Sequence, residues 1–238
     1  MSAARLVLGL DTAQRFGSIA LAEEGAAATW EALAPGMHSS GLSDAAERIL
    51  AGRGRGLADL TGIAVSSGPG SFTGLRIGLA WAKGACMGCS LKLVLVSEHE
   101  VSAYRHRGLG GRIATVLQGE RGEVQAALWS GGDRVRCLWG PERIHETELV
   151  PALREAAGSN SKVTVAGPEL TVPILASLAQ AGFQVATQES LPPSAAAVAE
   201  LGDAKLLAGE SADLATSAPV YGRAPNARRP SAPHTPSS

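Results

Sequence analysis

The sequence predicts an α/β fold made of two duplicated lobes, and three observations predict it. The apolar run Ile63-Ala64-Val65 leads into a glycine turn, Gly68-Pro69-Gly70, and then into a long helical pattern, the strand, turn and helix order of a parallel sheet. Each half of the chain repeats one order of elements: a strand meander, then helix, strand, helix and strand. Hydrophobic residues make up 45% of the 238 and aromatic ones only 4%, so the core must rest on aliphatic side chains and close backbone contact.

The first meander comprises Arg5 to Asp11, a run around Gly17–Ala22 and another around Ala27–Leu33. A helix is expected to start near Ser39 or Ser43, because Leu42, Ala45, Ala46, Ile49 and Leu50 fall at i, i+3, i+4, i+7 and i+8 and make one apolar face. Gly52, Gly54 and Gly56 end it, and the strand Gly62 to Ser66 returns parallel through a right-handed crossover. The next helix, Phe72 to about Gly88, is apolar almost all round, with Gly74, Gly78 and Ala82 forming a groove, so it needs cover on two sides. A strand at Lys92–Val96 and a helical piece at Glu98–His106 precede a hinge at Gly108-Leu109-Gly110-Gly111.

The second meander is expected at Ile113–Leu117, Glu123–Trp129 and Val135–Leu138. Helical patterns at Glu146–Ala157 and Leu170–Gln180 alternate with strands at Val163–Ala166 and Gln184–Ala186, and the Ala-rich Ser194–Leu207 reads as a helix returning to the first lobe. The domain division that follows is 1–107, 108–190, a returning segment 191–215 and a Pro-, Ser-, Ala- and Arg-rich tail 224–238 expected to be disordered.

Composition excludes several functions. A net charge of −1 gives no overall field to draw in polyanions, so the chain alone is not expected to grip nucleic acid. No apolar stretch is long enough to span a bilayer, so a cytoplasmic protein without membrane contact is expected. Three cysteines argue against a disulfide framework, and the lone Cys86-x-x-Cys89 lacks a second ligand pair and reads as small helix residues. His99-Glu100 and His145-Glu146 open like a zincin motif, but Ala103 and Leu149 stand where the second histidine belongs, so no metal site is expected. A serine hydrolase elbow is absent as well.

Two groups of candidates remain. The turn Gly68-Pro69-Gly70-Ser71-Phe72-Thr73-Gly74-Leu75-Arg76-Ile77-Gly78 points helix-start N–H groups at an anion, with Asp11, Thr12, Gly68, Gly70, Ser71, Thr73 and Arg76 as its contacts. Leu75 and Arg76 stand where a phosphate loop has Lys and Ser or Thr, and the same glycines serve equally to bring helix and sheet together. Asp11 at a strand end fits a nucleotide-related role or the capping of turn amides. The second group, Leu42, Ala46, Ile49, Leu50, Ile77 and Trp81, is core or a partner's docking face.

Gly68 to Gly78 as a whole resembles the signature of the TsaB (YeaZ) family. Leu8-Gly9-Leu10-Asp11-Thr12 with Gly17-Ser18-Ile19-Ala20-Leu21, His38-Ser39, Asp59–Val65, Gly119-Glu120-Arg121-Gly122-Glu123-Val124 and Pro219-Val220-Tyr221-Gly222-Arg223 agree in order, while Gln118, Gln125 and the tail depart. The resemblance implies the actin, Hsp70 and sugar-kinase (ASKHA) fold. It also implies a non-catalytic scaffold in threonylcarbamoyladenosine formation at the adenosine beside the anticodon of ANN-reading tRNAs. The implied partners are a TsaD-like catalytic subunit, docked on the amino-terminal helices through Leu42, Ala46, Ile49, Leu50, Ile77 and Trp81, and a TsaE-like ATPase, with tRNA reached through the complex and a homodimer when alone. No tightly bound cofactor is implied, and ATP or ADP would belong at the complex interface. The contrasting expectation, from Asp11 and the glycine turn, is a small ATPase or kinase of the same fold, and a peptidase reading finds no support in the residues.

Overall fold

The structure, a computed structural model, describes residues 4–34, 41–119, 121–132, 134–158, 161–168, 170–186 and 191–221. His38, Ser39, Glu120, Gly222, Arg223 and the tail 224–238 lie outside the described residues. The first sheet grows from the meander β1 (Leu6–Asp11), β2 (Ser18–Glu23) and β3 (Ala26–Ala32). Strands β4 (Gly62–Gly68) and β5 (Lys92–Ser97) add in parallel, giving the order β3-β2-β1-β4-β5.

The second sheet repeats this plan. Its meander is β6 (Arg112–Gln118), β7 (Glu123–Ser130) and β8 (Cys137–His145), and β9 (Val163–Ala166) and β10 (Gln184–Val185) extend it in the order β10-β9-β6-β7-β8. In both sheets the first meander strand is central and pairs antiparallel on one side and parallel on the other. This is the duplicated α/β architecture that the sequence predicts.

Alternation along the strands decides what covers each face of the first sheet. Leu6, Leu8, Leu10, Ile19, Leu21, Ile63 and Val65 point to one side, where α1 (Gly41–Ala51) and α2 (Phe72–Cys89) lie. Val7, Ala20, Ala22 and Ala64 point to the other, against α6 (Ser194–Leu207). These side chains are small because the helix backbone sits directly on the sheet. A Cβ at Gly9 would stand 2.5 Å from Ala195 O, and one at Gly202 would stand 2.3 Å from Ala64 Cβ.

In the second lobe α4 (Leu149–Ala157) and α5 (Val172–Gln180) cover one face. On the other face Ile113, Ala127, Trp129 and Ala166 pack with Ala103 of α3 (Glu98–Arg105), so α3 bridges the lobes. One hydrogen bond strengthens that bridge: His99 Nδ1 lies 2.8 Å from Thr115 Oγ1, an oxygen that within the second sheet also accepts from Trp129 Nε1 at 3.0 Å.

Three elements differ from the expectation. Strand β8 runs to His145, well past Leu138, because it is a sheet edge, where Gly140 and Pro141 are tolerated with register shifts opposite. Glu146–Glu148 forms a 3-10 turn before α4, and α5 starts at Val172 because Pro173 suits a helix's first turn.

Candidate functional site

The glycine turn closes on the β1–β2 hairpin. Ser71 caps α2 by accepting from Gly74 N at 3.2 Å, and its own N–H donates to Ala13 O at 2.7 Å. Thr12 Oγ1 donates to Gly74 O at 2.8 Å. A Cβ would stand 2.6 Å from Ala13 O at Gly70, 1.9 Å from Thr12 O at Gly74 and 2.2 Å from Thr12 Oγ1 at Gly78. At Gly68, where φ is +98°, it would stand 2.6 Å from Val220 O. Close approach therefore accounts for all four glycines, and at Gly70, Gly74 and Gly78 it is Thr12 and Ala13 that stand where a side chain would be. Ser71, Thr73 and Arg76 remain exposed at the helix start.

Asp11 is fully buried. Its Oδ1 accepts from Ala13 N at 2.8 Å and its Oδ2 from Ser194 Oγ, so it ties the hairpin to the start of α6. Glu98, also buried, accepts from Ser66 Oγ and, at 2.7 Å, from Gln14 Nε2. Burial and then the neighbouring Asp11 charge push the Glu98 carboxyl up to about 8, so it holds its proton at neutral pH. The two acids sit at the C-terminal ends of the parallel strands β1 and β5, where α/β sheets place their chemistry. Gln14 stands between Glu98 and a cavity of about 410 Å³ that also touches Arg15, Gly70, Ser71 and Gln118. This pair can store a proton but presents no open carboxylate to the cleft. Glu98 is not marked by local sequence as Asp11 is, because Ser97 separates it from the apolar run Leu93–Val96, whereas Asp11 follows Leu10 directly.

The α1 candidates are corrected. Leu42, Ala46, Ile49 and Leu50 are at most 6% exposed and join the core of the first lobe, because the apolar stripe of an amphipathic helix faces its own sheet. Ile77 and Trp81 on α2 are half-buried, and Trp81 Nε1 donates to Ser43 Oγ at 2.9 Å, tying α2 to α1.

The bare surface lies on the outside of α2. Thr73, Arg76, Ala80, Gly84, Met87 and Gly88 are exposed, Met87 by 71% and the neighbouring Phe72 by 54%. A Cβ at Gly84 or Gly88 would meet nothing within 4 Å, so these two glycines leave the outer surface flat and need no internal clearance. Cys86 faces the core with its thiol pushed up to about 11 by burial, and Cys89 is half-buried. Among the described residues no group of three or more His, Cys, Asp or Glu could hold a metal ion, and no helix is long and apolar enough to cross a membrane.

Residues 211–221 run alongside α2. Ala212 bridges to Leu93, Lys83 Nζ donates to Ser217 O at 2.6 Å, and Val220 N donates to Ser67 O at 2.7 Å. This brings Tyr221 to the start of α2, a contact across the whole chain that no local pattern announces.

The family described as TsaD: tRNA N6-adenosine threonylcarbamoyltransferase matches residues 32–211. The tRNA threonylcarbamoyladenosine biosynthesis protein TsaB of Escherichia coli K12 is 31% identical over 151 residues, which are 59% of this chain and 64% of that protein. The protein of the same name from Bacillus subtilis is 37% identical over 71 residues, 30% of this chain and 31% of that one. The matched part thus spans less than two thirds of either relative. YeaZ from Pseudomonas aeruginosa has a TM-score of 0.71 at 22% identity, covering 91% of this chain and 99% of that one. A protein described as similar to peptidase YeaZ from Pseudomonas aeruginosa has a TM-score of 0.73 at 21% identity, covering 92% and 100%. These two likenesses establish the fold.

Proposed function

The chain belongs to the family described as TsaD: tRNA N6-adenosine threonylcarbamoyltransferase, with relatives named TsaB, and from that premise we propose that it is a non-catalytic subunit of threonylcarbamoyladenosine synthesis in tRNA. It docks through the outer face of α2 on a TsaD-like catalytic subunit, with a TsaE-like ATPase joining the assembly, and reaches tRNA only through that complex. The observation that carries this reading is the outward surface of α2, where Ala80, Gly84, Met87 and Gly88 are exposed and the two glycines face open space. The small residues Ala80, Gly84 and Gly88 let another backbone approach closely there, and Met87 offers it an apolar side chain. The packing of Gly70, Gly74 and Gly78 on Thr12 and Ala13, and the engagement of both Asp11 oxygens, favour a binding role over phosphoryl chemistry.

The test is light-scattering chromatography of this chain with the TsaD-like protein of the same genome, followed by a tRNA modification assay with the TsaE-like protein added. A mixed species that forms with the native chain and is lost with Ala80→Arg is the expected result, with modification lost in parallel. Threonylcarbamoyl transfer or ATP turnover by the isolated chain, abolished by Asp11→Ala, would overturn it in favour of an ASKHA-fold enzyme.

A further inference from the structure

One exposed side chain beside the α2 face is held in place rather than left to solvent. The Arg76 Cζ lies 3.8 Å from the centroid of the Phe72 ring and 5.6 Å from that of Tyr221. Its Nε donates to Tyr221 Oη at 2.8 Å, and the two rings have centroids 4.9 Å apart. Phe72 lies one turn back on the same helix, whereas Tyr221 arrives from the other end of the described chain. Among the described residues Arg76 takes part in no ion pair, and its two terminal nitrogens have no acceptor.

We propose that Arg76, stacked on Phe72 and held through Nε by the Tyr221 hydroxyl, is a preformed receptor for a carboxylate side chain of the protein that docks on α2. This rests on the docking role proposed above. With Nε occupied by the Tyr221 hydroxyl and the guanidinium lying over the Phe72 ring, the terminal nitrogens form the half of a guanidinium fork that matches a carboxylate's two oxygens. Ordering the arginine in advance removes an entropic cost of association, and clamped Arg and aromatic residues are what interface hot spots are made of. The rim is apolar: Phe72 is 54% and Val220 57% exposed. Such a rim is covered by a protein surface bearing the acid, whereas a solvated phosphate would leave it wet. A second copy of this chain pairing α2 on α2 cannot supply the acid, because the helix carries Arg76 and Lys83 and no Asp or Glu.

The test is calorimetric titration of the TsaD-like protein with the full chain and with Arg76→Ala, Arg76→Lys and Tyr221→Phe, at low and high salt, after thermal unfolding has shown each variant folded. Arg76→Ala is expected to weaken binding by about 30-fold or more, as removal of a hot-spot arginine does, and to abolish much of the salt dependence. Arg76→Lys keeps the charge without the fork and stays about tenfold weaker, and Tyr221→Phe, which loses one hydrogen bond, weakens binding about fivefold. If Arg76→Ala binds within about twofold of the native chain while Ala80→Arg abolishes binding, this inference fails and the docking role stands. If Arg76→Ala reduces only the binding of inorganic phosphate or tRNA to this chain, or only its self-association, the carboxylate receptor is likewise refuted. If the native chain binds no partner at all, the docking role falls and takes the receptor with it.

Discussion

Gly74→Ala puts a methyl group where the Thr12 carbonyl already stands. The added Cβ would lie 1.9 Å from Thr12 O, so helix α2 and the β1–β2 hairpin must part by more than about 1 Å to reach even the 3.0 Å below which Cβ contacts essentially never occur. That separation breaks two hydrogen bonds, Thr12 Oγ1 to Gly74 O at 2.8 Å and Ser71 N to Ala13 O at 2.7 Å. Each contributes about 1 kcal/mol, and overpacking strain adds about 1–3 kcal/mol. The better helix propensity of alanine returns at most about 1 kcal/mol, leaving a net loss of about 2–4 kcal/mol. Urea unfolding reads this as a lower midpoint at unchanged slope. Gly84→Ala on the same helix is the control, since its Cβ meets nothing within 4 Å; it should stabilise by up to about 1 kcal/mol. Thr12→Ala sharpens the test further: it removes the Oγ1 that Gly78→Ala would strike at 2.2 Å, and so relieves that variant, but leaves the backbone oxygen that Gly74→Ala strikes. A Gly74→Ala protein as stable as the native one would refute the packing account and return the glycines to ligand binding.

Ile49→Arg, at a position 6% exposed in the first-lobe core, should cost about 3–5 kcal/mol and lower the melting temperature sharply; an unchanged melting curve would restore α1 as a surface helix. Glu98→Gln should remove a slope: the folded carboxyl keeps its proton to about 8 while the unfolded one releases it near 4.5, so native stability falls as pH rises across that window and the variant's does not. His99→Asn should act in the opposite sense, because burial pushes the folded imidazole down to about 4 against an ordinary 6.5, although the Gln125 side chain acts the other way. The native chain therefore loses stability as pH falls from 6.5 toward 4, and the variant, read by urea midpoints across pH, should not.

Most strands were legible because β1, β4 and β9 are short apolar runs bounded by polar or glycine residues, helix α1 because its apolar spacing is regular, and helix α6 because it is rich in alanine. The expected strand Val135–Leu138 stops short of Gly140 and Pro141, residues that weaken a strand pattern but that an edge strand such as β8 absorbs. The site was less legible. The stripe Leu42, Ala46, Ile49 and Leu50 has the same pattern whether it faces a sheet or a partner, and only the sheet's own large side chains decide. The Phe72–Arg76–Tyr221 cluster joins residues 145 apart in sequence, a distance no periodicity reaches.

The glycines of α2 show why the signature could be found but not interpreted from residue types. A turn that cradles an anion and a helix that approaches a sheet both require the absence of a Cβ, so glycine is the answer to either demand. The distinction lies in what occupies the space beside each one. At Gly74 and Gly78 it is Thr12, which draws the helix start tightly onto β1; at Gly84 and Gly88 it is nothing within 4 Å. The inward pair fixes the helix, and the outward pair, with Ala80, keeps its far side low. A helix anchored on one side and lined on the other by Ala80, Gly84 and Gly88 loses little freedom when a second backbone is laid against it, which is the physical requirement of the docking role proposed here.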